Sequence, residues 1–419
     1  MVRPGSERVI AALDVGSSKV CALIALISPE GETRVLGTGQ RACQGVKRGY
    51  VADMEKTELA IRQAVDQAER NAQVNADSAF VSFSAGGLDS DIASVDVDIA
   101  GHRIEQADID LVLSEGKRSL DPGNRTVLHA QPALYTLDGL QGVMNPLGFH
   151  ANRLGVDIHV ITADTPPIRN LDLSVRQAHM GVDKIVAAPV ASGLSCLVAE
   201  ERELGVALVE LGAGVTNVAV FARGMLVGLS SIPMGAADIT DDIAAAFSTR
   251  REHAERLKCF YGSATNSPRD NHEMIEIMPL SEDDGAEPGR VTRSQLISVI
   301  RQRLDLLLGD IGARLNDMGF TGPGGRQLVL CGGGAELKGI ADFAQGVLGR
   351  SVRVGRPRGL VGLPEAQSTA AFSTLAGLAL FAGSDNVDIT SIGMQENAAP
   401  RSLGNALLGK LIQVFRSNP

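Results

Sequence analysis

The chain has 419 residues, more than one ordinary core holds, and its 44% apolar and 21% charged residues fit a soluble globular protein of two domains or more. With no tryptophan, 3% aromatic residues and a net charge of −10, its composition argues against base stacking and against a general nucleic-acid binder, and any anionic surface must be met by a local basic patch. The five cysteines, Cys21, Cys43, Cys196, Cys259 and Cys331, form no CxxC or Cys/His pattern, so the sequence supports neither a disulfide framework nor a zinc site; each reads as a small buried residue in a reducing compartment.

Near the N-terminus, Leu13-Asp14-Val15-Gly16-Ser17-Ser18-Lys19-Val20 leads into the apolar residues 21–27. Asp14, Lys19 and the small-residue break rule out a spanning helix and predict a β-hairpin with an acid at the end of its first strand. Turn amides, two hydroxyls and Lys19 suit a phosphate, although most such turns are only turns. Residues 55–71 predict a helix, with Leu59, Ala60, Val65 and Ala68 on its apolar face, and 77–83 a strand. Residues 86–162 form a separate α+β stretch, long enough for an inserted subdomain. It has strands near 92–99, 127–137 and 155–162 and a helix over 106–119. His129 and His159 within it have no nucleophile to serve and read as structural.

The second half repeats the opening motif. Val209-Glu210-Leu211-Gly212-Ala213-Gly214-Val215-Thr216-Asn217 runs into the apolar residues 218–221. Two acid-tipped hairpins half a chain apart predict two related α/β halves. Residues 236–247 and 251–258 read as helices, 264–289 as an acid-rich irregular stretch with an edge strand near 274–277, and 293–315 as a long amphipathic helix. A strand over 327–331 enters Gly332-Gly333-Gly334, a run that lets a planar ring or ribose approach the backbone. Residues 336–348 and 368–381 read as helices and 385–402 as a linker. In the last stretch Leu403, Leu407, Leu411 and Phe415 recur every fourth residue, widened by Leu408, Ile412 and Val414, with Lys410, Gln413 and Arg416 opposite. That is a short amphipathic helix, made to lie in an anionic membrane interface, where each cation contributes about 1 kcal/mol, or to dock on the body.

Two phosphate-type hairpins and a glycine loop in this order resemble the superfamily of actin, the heat-shock ATPase chaperones and the sugar kinases. Pro189-Val190-Ala191-Ser192-Gly193-Leu194 and Ala376-Gly377-Leu378-Ala379 are similar to its two connecting helices. Residues 129–139, 143–149 and 154–162 closely resemble the subdomain peculiar to FtsA. On these segments the chain is identified as a member of the bacterial FtsA family over about residues 8–384 plus the tail.

The resemblance implies an α/β, actin-like (ribonuclease H-like) two-lobed fold with an inserted α+β subdomain and a C-terminal amphipathic helix. Residues 8–84, 163–190 and 359–384 would form subdomain 1A, 85–162 the insert 1C, 191–235 and 310–358 subdomain 2A, and 236–309 subdomain 2B; 385–402 would be the linker and 403–418 the membrane-targeting helix. It implies ATP and Mg²⁺. Phosphates would lie on Gly16, Ser17, Ser18, Lys19, Gly212, Ala213 and Gly214, the adenosine near Glu255, Lys258, Gly332, Gly333 and Gly334, and the metal would be organised through water by Asp14 and Glu210. Implied partners are the FtsZ C-terminal tail, met by Arg290, Arg293 and Arg303, further copies in an actin-like filament, later divisome membrane proteins, and anionic lipid on the cytoplasmic face of the inner membrane at the division site. From the residues alone, Glu255 and Lys258 could equally be an exposed i,i+3 ion pair, and the arginines a solvated face.

Departures from the superfamily pattern limit the chemistry. Glu210 stands where Asp is usual, Ala213 for a Gly, Val215 for a hydroxyl residue, and Ala191 where actin has a water-positioning amide. Binding through backbone amides survives these changes; turnover is expected to be weak at most. The alternatives are a small-molecule kinase of the same superfamily, which lacks a candidate general base here, and a pilus-type scaffold, which the tail speaks against.

Overall fold

The structure is a computed structural model that describes residues 7–280, 288–321, 327–384 and 388–391. The chain divides into two units, one formed by residues up to Gly87 and by Arg169–Gly383, the other by Leu88–Ile168 and residues from Ser384 onward.

The first unit opens with an antiparallel meander, β1 (Arg8–Val15), β2 (Lys19–Ile27) and β3 (Thr33–Ala42), followed by the short pair β4 (Val46–Lys47) and β5 (Tyr50–Val51), helix α1 (Met54–Ala72) and β6 (Ser78–Phe83). Asp53 caps α1 by accepting from Lys56 N at 3.1 Å, a contact worth about 1 kcal/mol. The helix buries Ile61 and also Ala60, Ala64 and Ala68, and Ala64 and Ala68 lie close against Gly37 and Gly39 of β3. Leu59, expected on the buried face, is exposed, and Ile61 fills the core instead.

The second unit is an antiparallel sheet in the order β7-β10-β8-β9, made from β7 (Asp89–Asp98), β8 (Arg125–Leu137), β9 (Leu140–Val143) and β10 (Arg153–Asp164), with helix α2 (Gln106–Ser119) packed on it. Ile109, Val112 and Leu113 of α2 share a core with Leu154, Val156 and Ile158 of β10. Ile389, from the stretch expected to be a linker, is fully buried in the same core.

The first unit resumes at Arg169, within α3 (Thr165–Gln177), and continues through β11 (Gly181–Ala187), α4 (Ala188–Cys196) and α5 (Ala199–Leu204). A second meander follows, β12 (Val206–Leu211), β13 (Thr216–Ala222) and β14 (Met225–Ile232), then α6 (Ala236–Ala246), α7 (Arg251–Tyr261) and the hairpin of β15 (Met274–Ile277) with β16 (Gly289–Thr292). The long α8 (Arg293–Asp317) starts in a capping box between Thr292 and Gln295 and buries Leu296, Ile300, Leu304, Leu307 and Ile311 at helical spacing. The unit ends with β17 (Gln327–Cys331), α9 (Ile340–Leu348), β18 (Ser351–Val354), β19 (Leu360–Val361) and α10 (Ser373–Gly383). Residues 336–348 are thus not one helix. A 3-10 turn over Gly333–Glu336 precedes α9, and another over Ala370–Phe372 precedes α10.

The two sheets of this unit share a topology. One runs β11-β6-β1-β2-β3-β19, the other contains β18-β17-β12-β13-β14. In each, a meander supplies antiparallel strands, and its first strand pairs in parallel with a later strand that pairs in parallel with another. The repeat expected from the two hairpins is therefore a repeat of fold.

Cys21, Cys43, Cys196 and Cys331 are buried, but Cys259 is exposed on α7, contrary to expectation. Among the described residues no helix is long and apolar enough to cross a membrane. The amphipathic stretch 403–418 lies outside the described residues.

Candidate functional site

The first hairpin turn closes through Gly16 N donating to Lys19 O at 3.0 Å. Asp14, second from the end of β1, pairs across the ladder with Cys21 and accepts from Ser82 Oγ at 2.6 Å. Burial pushes its carboxyl above the usual range, with the Ser82 hydrogen bond and the Lys19 charge opposing. Ser17 Oγ accepts from Gly49 N at 3.0 Å, which fixes the hydroxyl.

The second turn closes in the same way, Gly212 N to Val215 O at 3.0 Å. Its carbonyls are spent on the start of α6, since Ala236 N and Ala237 N donate to Gly212 O and Ala213 O at 2.9 and 2.8 Å. The two turns meet. A Cβ added at Gly214 would stand 3.1 Å from Ser17 Oγ and 3.0 Å from the Arg48 backbone, so a side chain there would separate them.

Glu210 is buried and its oxygens are occupied. Ser192 Oγ donates to Oε1 at 3.0 Å, Thr374 Oγ1 donates to the same oxygen, and Asn217 Nδ2 donates to Oε2 at 2.8 Å. Asn217 also donates to Ser84 Oγ at 2.8 Å and accepts from Ser231 Oγ at 2.7 Å. Burial raises the Glu210 pKa and the nearby Asp14 charge adds to it, against the three hydrogen bonds. Ser192 and Thr374 stand on α4 and α10, which cross closely: a Cβ on Gly377 would fall 1.8 Å from Ala191 O. Glu210 therefore ties the second hairpin to both connecting helices.

The glycine loop lies against the second hairpin. Gly332, at φ 83°, would drive a Cβ to 2.6 Å from Leu211 O, and Gly334 would bring one to 2.9 Å from Leu211 Cβ. Only Gly333 has nothing within 4 Å of such an atom. Two of the three glycines thus serve packing. Gly332 N donates to Ala370 O at 2.9 Å, and two residues further on the Phe372 ring supports the Lys19 ammonium at 3.6 Å.

Glu255 and Lys258 are not a merely exposed pair. Lys258 Nζ donates to Glu255 Oε2 at 2.7 Å, to Ala236 O at 2.9 Å and to Thr240 Oγ1 at 2.8 Å, which pins α7 to the start of α6. Burial opposes ionisation of Glu255, yet the Lys258 charge and its hydrogen bonds hold its pKa below the usual value. Ser17 meets the second turn at Gly214, that turn binds Ala236 through Gly212 O, and Ala236 packs against Gly334, with Lys19 linked to the loop through Phe372 and Ala370.

Arg290, Arg293 and Arg303 each have an acidic partner. Arg303 grips Asp242 through two bonds of 2.6 and 2.7 Å, and Arg293 meets Asp270 at 2.6 Å and donates to Tyr261 O at 2.8 Å. Arg290 is only 3.5 Å from Glu276, with both side chains exposed. Ser192, Thr374 and Phe372 were not singled out from the sequence. Polar Ser192 and Thr374 within helices of small apolar residues were the available signal; Phe372 gave none. Among the described residues, no group of three or more His, Cys, Asp or Glu side chains is arranged to hold a metal by itself.

A repeated lobe topology, crossing connecting helices and hairpin turns that meet define an actin-like α/β protein with an inserted α+β unit. Solved structures share this fold at low identity: a PilM-PilN type IV pilus biogenesis complex at TM-score 0.63 and 16% identity, covering 90% of this chain and 98% of that one, and MreB5 of Spiroplasma citri bound to ADP at TM-score 0.54 and 13%, covering 89% and 96%. The family model described as cell division protein FtsA matches residues 207–377, and that of the SHS2 domain inserted in FtsA matches residues 86–162. The chain is 39% identical to the cell division protein FtsA of Agrobacterium fabrum, across 91% of this chain and 89% of the relative. It is 30% identical to that of Escherichia coli K12, across 90% and 91%. The chain belongs to the FtsA family of cell division proteins.

Proposed function

We propose that this chain binds ATP with Mg²⁺ between its two hairpin turns and its glycine loop, assembles as an actin-like polymer, and links the FtsZ tail to anionic lipid through residues 403–418 at the cytoplasmic face of the inner membrane. The observation that carries the nucleotide reading is the approach of the Gly214 turn to Ser17, with the Gly332–Gly334 loop against Leu211 beside it. Backbone amides there suit phosphates, and Lys19 adds a cation. That MreB5 of the same fold was solved with ADP is consistent with a nucleotide in this place.

Asp14 is partly buried and Glu210 buried; desolvation raises the pKa of both and the Asp14 charge adds to that of Glu210, an arrangement a phosphate-bound divalent ion would relieve. The ion would neutralise the phosphates. Asp14 would orient its water, while Glu210, engaged with Ser192, Thr374 and Asn217, would chiefly hold the hairpin. Binding without efficient turnover fits that division. For the FtsZ tail, Arg290 is the favoured contact of the three arginines: it is the least engaged, on a hairpin whose other strand carries the exposed Met274. An acidic, partly apolar peptide would match that surface.

The test is titration of the full chain with a fluorescent ATP analogue and Mg²⁺, beside sedimentation with anionic vesicles. Saturable binding is expected, with sedimentation lost and nucleotide binding kept when residues from Leu403 onward are deleted. No saturable binding would overturn the nucleotide reading, and unchanged sedimentation the tail reading.

A further inference from the structure

We infer that Asp388–Thr390 is a docking clip that seats the segment after α10 in the inserted unit, so that a load on the tail is borne by that unit. The composition around this segment is that of a linker, yet its contacts are those of a built interface. Ile389 is fully buried in the core of the α2/β8/β10 unit. Gly116 on α2 lets Ile158 pack beside it, since a Cβ there would lie 2.3 Å from Ile158 Cδ1, and Ile389 Cδ1 stands in ordinary contact at 4.0 Å from the same point.

The polar half is equally specific. Asp388 is 3% exposed, a costly position for a carboxylate unless donors surround it. Its Oδ1 accepts from Ala130 N at 3.2 Å, Thr390 N at 3.0 Å and Thr390 Oγ1 at 2.6 Å, and Oδ2 lies 3.6 Å from Nδ1 of the buried His129. From α2, Lys117 Nζ donates to Thr390 O at 3.2 Å. One apolar plug and a satisfied acid, gripped from a strand and a helix, hold the segment in place. A passing linker would bury neither.

The consequence rests on the proposed membrane role of residues 403–418. With the clip seated, the tether begins on the inserted unit, and membrane attachment and that unit act as one body. With it open, the tether begins further back, after α10. The occupant is this chain's own segment, because Asp388 and Ile389 satisfy the site from within the same unit.

The test is amide hydrogen exchange on the full chain, with Ile389→Asp and Asp388→Ala variants, free and bound to phosphatidylglycerol vesicles. The clip predicts wild-type peptides over 388–390 protected to the same degree as α2. Ile389→Asp should speed exchange there and in α2 and β8 by about tenfold or more, leaving β12 and β17 unchanged. Asp388→Ala, which keeps the apolar plug, should give a smaller change confined to the same elements. Coil-like exchange over 388–390 in the wild type would overturn the proposal, as would variants with unaltered α2. Protection that rises with protein concentration would overturn the assignment within one chain in favour of a second copy. Vesicle binding separates the two ideas: wild type and Ile389→Asp should both sediment, and failure of both would sink the tail reading while leaving the exchange result to decide the clip.

Discussion

The Lys19 ammonium lies 3.6 Å from the centroid of the Phe372 ring, so the cation of the first phosphate-type hairpin rests on a residue that follows the acceptor of the glycine loop, Ala370. Ring and loop thereby position the charge before any ligand arrives. A cation–π contact of this kind is worth about 1 kcal/mol, or roughly fivefold in affinity. Phe372→Leu, which removes the ring face but keeps an apolar side chain, is expected to weaken ATP binding by that factor, and Phe372→Tyr to restore it. In a Lys19→Met background, Phe372→Leu should have no further effect. Additive losses in that cycle would show the ring acting by another route.

Glu210 and Asn217 face each other across β12 and β13, carboxylate to amide donor at 2.8 Å. Glu210→Gln sets an amide against either the Asn217 donor or the Ser192 and Thr374 hydroxyls. A buried mismatch of this kind costs about 1–3 kcal/mol. The melting temperature is expected to fall by several degrees. The double change Glu210→Gln with Asn217→Asp reverses the polarity of the pair and should recover most of the loss. Failure to recover would place the sensitivity in the charge, not in the hydrogen bonds.

His159, nearly fully buried, has its pKa lowered from 6.5 to about 4 by burial first and the His129 charge second. Its Nε2 has no hydrogen-bond partner among the described residues. As pH falls below 6.5 the unfolded chain takes up this proton and the folded one does not, so stability is complete above 6.5 and lost on the way to about 4. Between about pH 7.5 and pH 5 the loss should reach about 2 kcal/mol, read by urea unfolding of the inserted unit. His159→Met should flatten that dependence. An unchanged slope would assign the acid sensitivity to other groups.

Local patterns carried most of the framework, because alternation, turn residues and the repeated acid–turn motif are properties of neighbours in sequence. The strand Gln327–Cys331 and the helix Gln106–Ser119 were legible to the residue. The site was half legible. Turns and glycines announced themselves, but that Gly332 and Gly334 serve Leu211, and that Lys258 reaches Ala236 O, depends on what tertiary structure brings alongside. The same holds for 388–390: a mixed stretch of small, polar and scattered apolar residues reads as linker until His129 and Lys117, far earlier in the chain, supply the partners.

Arg303 is the cation for which structure and sequence give the most different weight. Facing Asp242 through two bonds, it joins α8 to α6, and both side chains are largely covered. A single Arg303→Glu change would then do two things, remove a charge from the surface and set two acids against each other between helices. The pair being partly exposed, its loss alone costs about 1 kcal/mol, and the created repulsion adds to that. Loss of binding to an FtsZ tail peptide in that variant would therefore not identify a contact. The exchange Arg303→Glu with Asp242→Arg keeps the ion pair and the local charge while moving the guanidinium to the other helix. We expect it to restore both melting temperature and peptide affinity, whereas Arg290→Glu lowers affinity several-fold with the melting temperature unchanged. Restored stability without restored binding would make Arg303 itself the reader of the peptide.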